Sequence, residues 1–300
     1  MIDFALLGTG GMMPLPDRAL TAFYVSYMGH SILIDCGEGT QTQIRLSPFN
    51  FKSIDAIFIT HFHGDHMSGL PGLLLSMGNE SRTEPVTIYG PVGVTDVVRA
   101  LRVLAPELPY EVRTVELAVD NATHFKCIGL DIDAFPLDHK LPCLGYSIKL
   151  LRQGRFDVQK AKELGIPVKL WSRLQDGESV DGFVPSDVLG EERKGIHLLY
   201  ATDTRPVAAL EKYGKDSDLM VLEGIFGDME KQARAEETRH MMMQEAAEIA
   251  KRAGTKDLWL THYSPANTHP LQYYDIITDI FENTVIPENG CCATIGFEDD

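Results

Sequence analysis

Residues 61–66 read His-Phe-His-Gly-Asp-His, so three of the chain's ten histidines and an aspartate fall within six positions. Imidazole nitrogen and carboxylate oxygen are donors that borderline divalent cations such as zinc accept. His61 and His63 are two apart, and on an extended segment their side chains point the same way. Gly64 then lets the backbone turn, so that Asp65 and His66 can face a second position. This spacing can serve two adjacent metal ions rather than one, and its place at the end of a buried strand favours a metal site over ordinary core histidines.

The strand that delivers the cluster is SIDAIFIT, and three other apolar runs end on a donor in the same way. Asp35 closes SILID, Asp203 follows IHLLYAT, and His262 follows DLWLT. In layered α/β folds the loops beyond strand ends are where sites are built. Around these runs, FALLGTGG is a strand entering a glycine-rich turn, and AFYVSY with HSILI flanks Met-Gly as a hairpin. GLPGLLLSMG is helical in apolar content, VTIYG is a strand, and GVTDVVRALRVLA has helical spacing. IGLDIDAFPLDHK and LGYSIKLL are partner strands. RPVAALEKYG is a helix stopped by Gly214, DLMVLEG a strand, HMMMQEAAEIAKRAG a helix capped by Gly254, and PLQYYDIITDIFENT a final helix. Hairpins in the first half and strand–helix alternation in the second predict a single α/β sandwich with mixed sheets.

Residues 151–195 break the alternation. They hold eight Lys/Arg and eight Asp/Glu, so the rest of the chain carries the whole net charge of −16. The segment is either a solvated excursion of mixed charge or a protruding element that meets a partner away from the acidic body. An acidic surface repels nucleic acid unless cationic groups gather where phosphates dock. The start MIDFALLGTGG shows no basic leader with an apolar run, and no stretch is long enough to span a membrane. Five scattered cysteines (Cys36, Cys127, Cys143, Cys291, Cys292) fit reduced thiols in a cytoplasm rather than a disulfide framework. The adjacent Cys291 and Cys292 lack a second pair at zinc-finger spacing and are expected to be structural, as is Cys143 as a small buried residue. Asp35 is expected to orient the histidines rather than to bind metal. His30, His124, His197 and His269 belong to no motif.

HFHGDH resembles the HxHxDH motif of the metallo-β-lactamase superfamily, and its partners follow in order: His139 in FPLDHKLPCLGY, Asp203 in YATDT and His262 in WLTHYSP. Within that superfamily the chain resembles the ribonuclease Z family almost end to end. LLGTGGMMPLPDR, ILIDCGEGTQTQI, HFHGDHMSGLPGLL, IYGPVG, FDVQKAKELGIP, ATDTRP and ETRHMMMQEAAEIAKRAG carry the likeness. The resemblance implies an αββα sandwich of two mixed β-sheets flanked by helices, residues 1–300 as one domain, and 151–195 as an inserted, protruding substrate-binding arm. It implies two divalent metal ions per subunit, zinc or manganese: one held by His61, His63 and His139, the other by Asp65, His66 and His262, with Asp203 bridging. Two metals roughly 3.5–4 Å apart can activate water and stabilise the oxygens of an in-line phosphoryl displacement. Asp65 would also act as general base, and His240 would protonate the leaving 3′-oxygen.

The implied activity is a zinc-dependent, cytoplasmic endoribonuclease that removes the 3′ trailer of precursor tRNA, working as a homodimer in which one subunit's arm holds the RNA its partner cuts. Arg152, Arg155, Lys160, Lys162, Lys169 and Arg173 would supply the arm's grip. The chain departs from the family pattern at Met242, where a threonine is usual, after the last motif, where an arginine is usual, and after LGIP, where a Gly-Pro pair is usual. All three departures fall where RNA contacts are expected. A phosphodiesterase for small or cyclic nucleotide diesters, or a metal-bearing binding module without turnover, are the alternatives.

Overall fold

Two seven-stranded sheets lie face to face, each half antiparallel and half parallel. The structure, a computed structural model, describes residues 1–298. One sheet has the order β14-β1-β2-β3-β4-β5-β6, from Cys291–Ile295 (β14), Ile2–Gly8 (β1), Ala22–Tyr27 (β2), His30–Ile34 (β3), Ile54–Phe58 (β4), Val86–Pro91 (β5) and Val112–Leu117 (β6). The other runs β13-β12-β11-β10-β9-β8-β7, from Thr284–Val285 (β13), Asp257–Thr261 (β12), Leu219–Glu223 (β11), Arg193–Ala201 (β10), Cys143–Arg152 (β9), Leu130–Leu137 (β8) and Thr123–Cys127 (β7).

The hairpin expected at Met-Gly forms between β2 and β3, with Met28 at φ 50° and Gly29 at φ 82°, the two positive angles a tight hairpin turn demands. The division into a hairpin half and an alternating half is replaced by a repeat. Each sheet begins with antiparallel strands and continues with parallel ones, and the parallel set β3-β4-β5-β6 already occupies the first half of the chain. β14 then returns to pair with β1, a closure across the whole sequence that local pattern does not reveal.

Helices Thr40–Leu46 (α1), Gly64–Met67 (α2), Leu70–Asn79 (α3) and Val94–Leu101 (α4) lie on the first sheet's side, where α3 starts with Pro71 in its first turn. Helices Val158–Glu163 (α5) and Trp171–Gln175 (α6) belong to the 151–195 segment. Ala208–Gly214 (α7), Gln232–Thr238 (α8), Met243–Ala253 (α9) and Tyr274–Ile280 (α10) follow, with α7, α9 and α10 covering the second sheet. The central strands of each sheet are therefore buried on both faces, which is why strands such as β4 and β11 are almost wholly apolar. Gly254 caps α9 at φ 70°, as expected, whereas Gly214 is the last residue inside α7 rather than its stop.

The inter-sheet core is aromatic: Phe23 stacks on Tyr200 at 5.3 Å between ring centres, Phe4 meets Trp259 at 5.1 Å, and Phe58 meets Tyr146 at 5.0 Å. Residues 156–188 keep a separate small core of Ala161, Ile166, Leu170, Leu174, Val180 and Val188, set on the far ends of β9 and β10. Among the described residues all five cysteines are unpaired, and no helix is long and apolar enough to cross a membrane.

Beyond the end of β4 the chain is held against the other sheet. Tyr146 Oη on β9 donates to the Ile59 carbonyl at 2.7 Å, and the Leu144 amide donates to the Thr60 carbonyl at 3.0 Å. These two bonds fix the height at which residues 61–66 leave the sandwich. Tyr146→Phe is expected to destabilise the protein by about 1–3 kcal/mol in urea unfolding, because a buried carbonyl loses its donor.

Candidate metal centre and active site

The loops past β4, β8, β10 and β12 meet at the floor of a cleft of about 810 Å³. His61, His63, His139 and Asp203 form one group of donors, and Asp65, His66 and His262 a second, each with ligand atoms within 4.8 Å of one another. In the first group His61 Nε2 lies 2.9 Å from His63 Nδ1, and His139 Nε2 lies 3.3 Å from the same atom. In the second, His66 Nε2 and His262 Nε2 are 3.3 Å apart, and Asp65 Oδ2 is 3.3 Å from His262 Nε2. Asp203 stands between them: Oδ1 is 3.8 Å from His61 Nε2 and His139 Nε2, while Oδ2 is 3.1 Å from His66 Nε2 and 3.2 Å from His262 Nε2. All seven residues singled out as metal donors by sequence thus stand together.

Local backbone makes this convergence possible. Asp35, Asp203 and His262 have φ near 60°, the left-handed region that residues with side chains seldom enter, each where its strand gives out. Gly11 is pressed against the His262 ring so closely that a Cβ there would lie 2.6 Å from Cε1. A Cβ on Gly37 would meet the Asp65 carbonyl oxygen at 2.5 Å. The glycines of LGTGG and DCGEG therefore admit the site's own residues.

The ring nitrogens that face away from the centre are mostly anchored, as metal-binding histidines require. His66 Nδ1–H donates to Asp35 Oδ2 at 2.8 Å, His61 Nδ1–H reaches Thr60 Oγ1 at 3.1 Å, and His139 Nδ1–H donates to the Arg239 carbonyl at 3.2 Å. Asp35 also accepts from the Thr60 amide and hydroxyl, so one buried carboxylate orients two histidine-bearing positions, as its sequence position suggested. Cys143 is buried with Sγ 3.8 Å from His61 Nδ1, on the side of that ring turned away from the other donors.

The chemistry of the donor set fits divalent cations. Burial, and then neighbouring imidazoles, hold His61 well below the usual histidine range; burial also lowers His63 and His139, which favours free lone pairs on all three. On the other side burial works against a charged ring, but Asp203 and Asp35 raise His66, and Asp203, Asp65 and Glu223 push His262 up to about 10. Burial would raise Asp65 and Asp203, yet the facing imidazoles hold both well below the usual carboxylate range. The buried Asp203 Oδ2 faces His66 and His262 without a well-directed hydrogen bond to either, an acceptor aimed at the centre.

His240 is no exposed helix start. Its side chain is 11% exposed, and Nδ1–H donates to Glu223 Oε2 at 2.8 Å. Burial disfavours its charged form, but Glu223 and Asp203 raise it. Glu223, fully buried at the end of β11, also accepts from the Thr204 amide at 2.5 Å and lies 3.7 Å from His262 Nδ1. Its signal in the sequence is that MVLEG ends an apolar strand on a carboxylate just as SILID does. Arg205, which no local pattern marks as part of the site, donates to the His240 carbonyl at 2.6 Å while forming a two-pronged pair with Glu245. Met242 does not face an RNA path. It is fully buried against Ile225, Ala235 and Phe226, filling the space beneath α8. The loop after the last motif is braced instead by Arg18, which donates to the carbonyls of Asn267 and Thr268 at 2.9 and 3.2 Å. His30, His124 and His197 pair with Asp55, Asp133 and Ser147, away from the centre.

Residues 30–158 match the family model described as a beta-lactamase superfamily domain. With a donor-lined cleft between two mixed sheets, the chain is a metallo-β-lactamase-fold hydrolase. It is 50% identical to ribonuclease Z of Lachnoclostridium phytofermentans over 99% of both chains, and 46% identical to that of Lachnospira eligens over 100% of both. The crystal structure of the short form of human tRNase Z superposes with a TM-score of 0.72 at 27% identity, over 98% of this chain and 100% of that one. The chain belongs to the ribonuclease Z family.

Asp35→Asn is expected to weaken zinc binding about 10–100-fold, read by competition with a chromogenic chelator. A cation entering beside His66 and His262 must displace protons that the carboxylates hold there. Apparent affinity should therefore tighten as pH rises, up to about 10 for His262, with proton release measurable by calorimetry in two buffers.

Proposed function

We propose that the chain is a zinc-dependent endoribonuclease that removes the 3′ trailer of precursor tRNA by hydrolysing one phosphodiester bond. What supports this reading is the group of seven metal donors at the floor of an open cleft, in a chain up to 50% identical to ribonuclease Z over its whole length. His61, His63 and His139 would hold one cation and Asp65, His66 and His262 the other, with Asp203 shared; such a pair supplies an activated water and charge neutralisation at the phosphate.

The chain's own groups divide the remaining work. Asp65, kept ionised by His262 and His66, is the acceptor for the proton of the attacking water. It is held in place by the Met12 amide, which donates to Oδ2 at 2.6 Å. His240, kept protonated by Glu223, is the donor to the leaving 3′-oxygen. Arg205 fixes the height of that imidazole through the His240 carbonyl.

The chain is read as one domain in which residues 151–195 form the substrate-binding arm, whose separate core lets it stand clear of the acidic body. Two copies form the working unit, one arm holding RNA for the partner's centre. The free cysteines agree with a cytoplasmic setting.

The test compares precursor tRNA with a small chromogenic phosphodiester on one zinc-loaded preparation. Precursor tRNA should be cleaved at the trailer junction, and intact tRNA after incubation would sink the reading. His63→Ala and Asp65→Ala are expected to abolish cleavage of both substrates, whereas His240→Ala lowers kcat on RNA by about 10²–10⁴ and spares the diester with a good leaving group. Replacing residues 156–188 by a short glycine linker should raise KM for precursor tRNA far more than for the small diester.

A further inference from the structure

Lys231, Arg234 and Thr238 stand three and four residues apart, at the entry to α8 and along it, so they share one face. All three border the same cleft as Asp65, Asp203 and His240, and Lys140, next after His139, borders it too. In a chain of net charge −16 this is a local concentration of cations at the mouth of the site. Neither Lys140 nor Lys231 enters an ion pair among the described residues. Arg234 is paired only with Glu237 at 2.6 Å, and both side chains are more than half exposed, a pairing weak enough to exchange for a phosphate.

The face is also firmly attached to the reacting centre. Ala235 turns inward onto Ile225 and the buried Met242, the His240 amide donates to the Ala235 carbonyl at 2.9 Å, and the Met243 amide donates to the Phe226 carbonyl at 3.0 Å. Helix α8 ends two residues before His240, so the cations and the proton donor move as one packed piece. The cleft is also bordered by an apolar stretch, with Met12 63% and Met13 56% exposed beside Pro14. A single strand lying in the cleft can therefore turn its phosphates to α8 and its bases to the methionines.

We propose that Lys231 and Arg234, with Lys140, form a subsite for the backbone phosphates of the RNA strand on the 5′ side of the scissile bond. This assignment rests on the endoribonuclease reading. In trailer removal the leaving oxygen is the 3′-oxygen of the upstream nucleotide, and its proton comes from His240. The upstream strand must therefore pass His240, and α8 is the cation-bearing element joined to that residue. The acidic exterior then has a role: phosphates are repelled from the body and admitted where these side chains stand.

The test uses the full-length, zinc-loaded protein, its Lys231→Ala/Arg234→Ala double variant, and Arg99→Ala as a control that removes an exposed cation from α4, outside the cleft. Cleavage of precursor tRNA is followed at several salt concentrations, with turnover of a small phosphodiester measured in parallel. The double variant should raise KM for precursor tRNA about tenfold more than for the small diester, with the loss in KM rather than kcat. The slope of log affinity against log salt should fall by about 0.7 for each phosphate contact removed. Arg99→Ala should change neither. A neutral methylphosphonate in place of a phosphate just 5′ of the cleavage site should weaken the wild type and cost the double variant little. An unchanged KM and salt slope in the double variant, or equal methylphosphonate penalties in both proteins, overturns the subsite. Failure of the wild type to cut precursor tRNA at all sinks the endoribonuclease reading itself, and the two failures are thereby told apart.

Discussion

Asp203 holds its negative charge in a place almost closed to water, and the architecture around it keeps that charge tolerable. Its side chain is 2% exposed, and its oxygens lie 3.1–3.8 Å from nitrogens of His61, His66, His139, His240 and His262. A buried carboxylate without such neighbours would take up a proton or leave the interior. Four strand ends must therefore stop at the same height, and the inter-sheet aromatic contacts with the Tyr146 and Leu144 bonds set that height. The left-handed turns at Asp35, Asp203 and His262 aim the side chains once the strands have brought them there.

The same crowding splits the centre electrically. His61, His63 and His139 are shifted toward the neutral form by burial and by neighbouring imidazoles, while His66 and His262 are drawn toward the imidazolium form by carboxylates. Glu223 extends the gradient to His240, where it opposes the effect of burial and favours the charged ring. A nucleophile's base and a leaving group's acid can then coexist a few ångströms apart, because different neighbours bias each one.

What the residue string disclosed, and what it withheld, follows from the range of the forces involved. HFHGDH and the donor-terminated strands were legible because strand ends and their loops are adjacent in sequence. The hairpin at Met28–Gly29 and the cap at Gly254 were equally local. The pairing of β14 with β1 was not, since Leu6 and Cys291 meet only in three dimensions. Glu223 and Arg205 were overlooked because their importance lies in partners 17 and 35 positions away along the chain, His240 in both cases. Met242 looked like a lost polar contact until its neighbours were known: it fills a small apolar space that a threonine would leave partly empty.

Strands β9 and β10 run as a hydrogen-bonded pair from the centre to the small core of residues 156–188. β9 begins at Cys143 beside His61 and ends at Arg152, β10 begins at Arg193, and Asp203 follows two residues after its last. Ten residues of strand at about 3.3 Å each make a rigid spacer of roughly 30 Å. The hydrogen-bonded pair thus ties the small core of residues 156–188 to both His61 and Asp203, so a strain applied at the lobe is carried to the centre along two strands at once.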